Sequence, residues 1–124
     1  MTSVFRQWTL DVLDVEQMAV FWSRVLGYRI QAGEDGHAFL LPPDDAGERP
    51  RVWLQPTDHV KQAKNRNHPD LVVDDNNVGR EVQRLLDLGA RHTDVGQTGR
   101  EGFVVLTDPE GNEFCLLRTP PNQP

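Results

Sequence analysis

Phe5-Arg6-Gln7-Trp8-Thr9-Leu10-Asp11-Val12 alternates, with Trp8, Leu10 and Val12 on one side and Gln7, Thr9 and Asp11 on the other, the period of a half-buried strand. Asp14 follows as a helix N-cap, and Met18, Phe21, Trp22, Val25 and Leu26 recur at three- and four-residue spacing until Gly27, which suits a helix C-cap. Beyond this strand and helix, Tyr28 to Gln31, Ala38-Phe39-Leu40-Leu41 and Arg51-Val52-Trp53-Leu54-Gln55 read as three more strands. They are separated by a turn at Gly33-Glu34-Asp35-Gly36 and a polar loop from Pro42 to Pro50.

The second half repeats this order. His68 to Val73 reads as a strand, and Asp74-Asp75-Asn76-Asn77 supplies an N-cap. A helical pattern of Val78, Val82, Leu85 and Leu86 then stops at Gly89. Arg91 to Val95, Phe103-Val104-Val105-Leu106 and Glu113 to Leu117 follow as strands, separated by turns at Gly96 to Gly102 and at Asp108-Pro109-Glu110-Gly111-Asn112. Gly89 lies 62 positions after Gly27, and Val73 lies 61 after Val12. The spacing predicts an α+β chain of two βαβββ modules, the first over about residues 5–56 and the second over about 68–118, with residues 57–67 as linker. A four-stranded sheet with one helix leaves its other face bare, so the modules are expected to share one domain spanning residues 1–124.

Composition bounds the function. The chain has 124 residues, one domain's length, and an apolar fraction of 37% that sets it apart from disordered chains. Thirteen Lys and Arg against 19 Asp and Glu give a net charge of −6, and Lys61, Lys64 and Arg66 form the densest basic stretch, so nucleic acid is not expected as a partner. No apolar run is long enough to span a bilayer. A single Cys115 and an N-terminus without a long apolar core point to the cytoplasm.

Four segments carry a family resemblance. Leu10-Asp11-Val12, Phe21-Trp22-Ser23-Arg24-Val25-Leu26-Gly27-Tyr28, Asn65-Arg66-Asn67-His68-Pro69-Asp70-Leu71 and Asp108-Pro109-Glu110-Gly111-Asn112-Glu113-Phe114 together resemble the vicinal oxygen chelate superfamily, most closely its glyoxalase-like and bleomycin-resistance-like branch. The resemblance implies sheets curled around a shared cleft, with homodimers common. In metal-binding members four cleft side chains hold a divalent ion, one near the start of each module's first strand and one on each last strand. The matching positions here are Gln7, His68, Trp53 and Cys115, and only His68 keeps a residue type expected of those ligands. Trp53 offers no donor atom and Gln7 carries no charge, so the expectation is no metal cofactor. A displaced divalent-ion set of His68, Glu113 and Gln55 is the alternative, since alternation puts Gln55 beside Trp53 and Glu113 beside Cys115.

In the fold so implied, the polar side of each first strand lines the cleft. Gln7, Asp11, His68 and Asp70 are therefore expected there, joined by Trp53, Gln55, Glu113 and Cys115 from the last strands. Asp70 either orients the His68 imidazole, or pairs with Arg66 or caps local backbone. Cys115, between Phe114 and Leu116 in a strand, reads as a packed thiol rather than a nucleophile. The acidic residues of the turn at 108–112 need no catalytic role, Trp22 belongs to the core, and Trp53 is the aromatic expected to touch ligand. Asn65-Arg66-Asn67 is either a solvated linker or a basic approach that meets an anionic ligand.

The leading expectation is a cleft protein that binds a small organic molecule without the metal quartet, with a homodimer as the assembly. A metal-dependent lyase, isomerase or dioxygenase built on the displaced set is the second, and a structural or regulatory subunit the third.

Overall fold

In the computed structural model, residues 1–75, 77–94, 96 and 102–118 are described. The element order is β1 (Gln7–Val12), α1 (Val15–Leu26), β2 (Arg29–Ala32), β3 (Ala38–Leu41) and β4 (Arg51–Pro56), then β5 (Asp70–Leu71), α2 (Val78–Leu88), β6 (Arg91–His92), β7 (Phe103–Thr107) and β8 (Glu113–Leu117). Each half is strand, helix, three strands. The first sheet runs β1-β4-β3-β2 and the second β5-β8-β7-β6, with β1/β4 and β5/β8 parallel and the other pairs antiparallel. The fold is therefore α+β with two βαβββ modules, and the chain divides into two compact units, Met1–Val60 and the residues from Lys61 onward.

Helix α1 starts where Asp14, in extended conformation, accepts a hydrogen bond from the Gln17 amide at 3.0 Å. It ends at Gly27, whose φ of 70° is the left-handed angle that a side chain disfavours, and whose amide donates to the Ser23 carbonyl at 2.8 Å. Met18, Phe21, Trp22 and Val25 of the helix are buried, as are Leu10, Val12, Leu40, Val52 and Leu54 of the sheet it packs on. Trp22 is fully buried and meets Trp8 and Phe21 edge-on, with ring centroids 5.0 and 5.2 Å away. Trp8, Leu10 and Val12 thus face the helix, as their alternation predicts.

In the second unit, Asn77 is the N-cap of α2, accepting from the Arg80 amide at 3.2 Å. Leu85, Leu106, Phe114 and Leu116 form the core of this unit. The turn after β7 is organised by Asp108, only 1% exposed, whose carboxylate accepts from the Glu110 and Asn112 amides, both at 2.9 Å, and from Asn112 Nδ2.

Some expected boundaries move. The strand expected from Phe5 begins at Gln7, and the strand expected over Tyr28–Gln31 lies at Arg29–Ala32. The strand expected over His68–Val73 is reduced to Asp70–Leu71. Pro69 has no N–H to give the ladder, although its carbonyl accepts from the Cys115 amide at 3.0 Å, and β5 sits at a sheet edge where proline is tolerated. The strand expected over Arg91–Val95 is Arg91–His92; Val95 lies outside the described residues, as do most of the expected turn at Gly96 to Gly102 and Asn76 of the expected N-cap run. Among the described residues no helix is long and apolar enough to cross a membrane.

Candidate functional site

Strand register builds a mixed aromatic and polar face in the first unit. Gln31, Phe39, Trp53 and Thr9 are successive partners across β2, β3, β4 and β1, which puts all four in one row on the side away from α1. The Phe39 and Trp53 rings stack at 5.6 Å with 15° between planes, and the His37 ring lies 5.5 Å from Trp53. Gly33 leaves space for this group, since a Cβ there would meet His37 and Phe39 at 3.3 Å. The indole Nε1 of Trp53 is buried and has no hydrogen-bond partner among the described residues.

Charged and amide groups flank the rings. Arg51 and Gln7 are register partners, and the Arg51 Nε donates to Gln7 Oε1 at 2.8 Å while the guanidinium sits 4.7 Å over the Phe39 ring. Gln7 Nε2 in turn donates to Thr9 Oγ1 at 3.2 Å. Gln55 and Asp11 are the next pair along the same two strands. Arg51, Phe39 and His37 are the members that sequence reasoning missed; Arg51 was legible in principle, because it shares parity with Trp53 two residues on.

The second unit gathers His68, Asp70 and Cys115. Asp70 and Cys115 are register partners on parallel strands, and one donor atom from each of the three side chains lies within 4.8 Å of the others. His68 Nδ1 is 3.3 Å from Asp70 Oδ1 and 4.0 Å from Cys115 Sγ. Among the described residues Asp70 pairs with His68 and not with Arg66. The same ring nitrogen meets both the carboxylate and the thiol, so the imidazole cannot take a thiol proton on one nitrogen while a carboxylate steadies the other. Burial, helped by the charge and hydrogen bonding of Asp70 and opposed by Lys64, pushes the Cys115 thiol up to about 11. A neutral, packed thiol follows.

Glu113 is held apart from this trio. Its side chain is 8% exposed; Oε2 accepts from Lys61 Nζ at 2.9 Å and Oε1 from the Asn65 amide at 2.9 Å. Burial acts to raise its pKa, yet the Asn65 amide and the Lys61 ammonium outweigh it and hold the carboxyl below its ordinary value. Lys61 and Asn65 fall in the stretch expected to be linker, and no local pattern marks contacts made 52 and 48 positions away.

Of the residues expected in the site, Gln7, Asp11, Trp53 and Gln55 therefore lie on the first sheet, and His68, Asp70, Cys115 and Glu113 in the second unit. The four positions that correspond to a metal quartet do not fit one. The Gln7 amide is occupied at both ends, by Arg51 and Thr9, and the Trp53 indole has no lone pair to give.

Solved structures share this architecture. A fosfomycin resistance protein, FosX, from Mesorhizobium loti is 21% identical with a TM-score of 0.73, over 96% of this chain and 94% of that one. A mutant of the Listeria monocytogenes FosX, complexed with Mn(II) and a dihydroxypropylphosphonic acid, is 20% identical with a TM-score of 0.72, over 95% and 91%. An enzyme of the glyoxalase/bleomycin resistance protein/dioxygenase family from Burkholderia phytofirmans PsJN is 16% identical with a TM-score of 0.70, over 92% and 97%. No curated protein matches the sequence. The model of the glyoxalase-like domain matches residues 7–117, from the first residue of β1 to the last of β8, and the chain belongs to that family.

Proposed function

We propose that this chain binds a small organic molecule with a planar apolar part and an anionic group on the β1-β4-β3-β2 face of its first unit. The observation that carries the proposal is the Trp53 and Phe39 stack with Arg51 held against it. An aromatic wall with a few placed polar groups suits a small ligand. Arg51 is tethered through Nε to a neutral amide, and no carboxylate among the described residues pairs with it, so its Nη groups are available for a bidentate contact. Gln55, Asp11 and the Trp53 indole N–H supply further hydrogen-bonding capacity on the same strands. In keeping with this reading, one structural neighbour was solved with a small phosphonic acid.

The competing reading, a metal-dependent lyase, isomerase or dioxygenase using His68, Glu113 and Gln55, places its ion on a carboxylate that Lys61 and Asn65 already hold, so the ion competes there with the Lys61 ammonium.

A thermal-shift and tryptophan-fluorescence screen of aromatic and heterocyclic carboxylates and phosphonates, each beside its neutral amide or ester, tests the proposal. The expected outcome is ligand-specific stabilisation that falls roughly tenfold or more in apparent affinity in Trp53→Ala, and by a similar factor when the acid is neutralised or Arg51→Gln is used. Stabilisation by no compound, or equal stabilisation of acids and amides with both variants unchanged, overturns it.

A further inference from the structure

We infer that His68, Asp70 and Cys115 form a binding site for a thiophilic divalent cation of the zinc class, built entirely within the second unit. This proposal is independent of the ligand site on the first sheet. Its ground is the convergence of one imidazole nitrogen, one carboxylate oxygen and one sulfur, all within 4.8 Å of one another. Zinc bonds of roughly 2.0–2.3 Å to such atoms, arranged tetrahedrally, put ligand atoms about 3.3–3.8 Å apart. The 3.3 Å separation of His68 Nδ1 from Asp70 Oδ1 already falls in that range, and the 4.0 Å from Nδ1 to Cys115 Sγ closes with a small side-chain rotation.

The backbone holds the three together. Asp70 and Cys115 face each other in register across β5 and β8, and the Cys115 amide is bonded to the carbonyl of Pro69, the residue between Asp70 and His68. Proline restricts both its own φ and the backbone of His68 before it, so the approach of the imidazole is set by the chain.

Donor chemistry selects the ion. A thiolate is a poor ligand for Mg(II) or Ca(II), whereas mixed N, S and O donors suit Zn(II) and Co(II). A neutral imidazole, a thiolate and a carboxylate exactly offset a divalent charge, and the thiol proton is released to solvent on binding. Three protein ligands leave a fourth position open to water or to an oxygen of a small molecule. The set differs from the quartet implied by family resemblance: Asp70 is not one of those four positions, and Gln7 and Trp53 take no part.

The test is titration of the intact chain with Co(II) alone, followed by Zn(II). The expected result is one equivalent of Co(II) bound with a thiolate-to-cobalt charge-transfer absorption, which Zn(II) displaces and an excess of Mg(II) does not. Cys115→Ser removes that absorption, and His68→Ala and Asp70→Asn each weaken Co(II) binding by about tenfold or more. Asp70→Asn keeps the shape of the side chain, and unchanged circular dichroism of each variant separates lost binding from lost folding. Absence of the absorption in the wild-type chain, or an absorption with the same affinity in His68→Ala and Asp70→Asn, overturns the assignment.

Discussion

Helix α1 presses five side chains, Met18, Ala19, Phe21, Trp22 and Val25, out of contact with water, whereas α2 buries Leu85 alone. The outer strands differ in the same sense. β1 and β2 have six and four residues, but their counterparts β5 and β6 have two each. One βαβββ order is therefore compatible with two ways of holding it. The first unit relies on a large aromatic core, and the second adds to a smaller one a set of buried polar anchors: Asp108 in its turn, and Glu113 gripped by Lys61 and Asn65.

The largest expected effect tests the aromatic half of that contrast. Trp22→Ala empties a fully buried site that contacts Trp8 and Phe21, and should cost about 3–5 kcal/mol in a urea denaturation experiment. Leu85→Ala, equally buried but smaller, should cost less, near the lower end of the ~2–5 kcal/mol range for such truncations. Native-state hydrogen exchange should also find the amides of α2 opening before those of α1. Equal losses for the two variants, together with equal exchange in the two helices, would break the comparison.

The polar half predicts a pH dependence. Glu113 has its carboxyl held below the ordinary value of 4.5, so its contribution to stability is present above that pH. The contribution is lost as pH falls through the lower folded-state value. Glu113→Gln should destabilise by about 1–3 kcal/mol at neutral pH, since it gives up a buried, charge-assisted pair and leaves Lys61 without its partner. Below about pH 4.5 the wild-type chain should lose this advantage, so that its denaturation midpoint falls toward that of the variant. Parallel curves for the two proteins down to acid would remove Glu113 from the account of the second unit.

These anchors also mark where the sequence stops being informative. The repeat, the alternation of Trp8, Leu10 and Val12, the Asp14 cap and the helix end at Gly27 are local patterns, each encoded within a few residues of the structure it produces. The same alternation correctly puts Asp70 and Cys115 on one side of their sheet. The contacts of Lys61 and Asn65 with Glu113, and of Arg51 with Gln7, join residues 44 to 52 positions apart, and strand register and chain path decide them. Nothing in the composition of residues 57–67 separates a linker from a clamp. Shortening of β5 was visible at Pro69, because a proline cannot donate to a ladder, but the alternating residues around it invite a longer strand.

The smallest expected effect sharpens the contrast by removing the same device from each unit. Asp14 and Asn77 both cap a helix through a side-chain oxygen that accepts from the amide three residues on, at 3.0 and 3.2 Å. Asp14→Ala and Asn77→Ala should each cost about 1 kcal/mol by denaturation, because the orphaned amides are near solvent in both cases. Their local consequences should differ. With five buried side chains holding α1, loss of Asp14 should leave exchange of the later turns nearly unchanged. With Leu85 as the one buried contact, eight residues beyond its cap, α2 should fray well past its first turn when Asn77 is removed. Amide exchange of the two variants, residue by residue, measures this. Fraying of equal length in both helices would mean that the sheet, and not the number of buried side chains, fixes how firmly each helix is held.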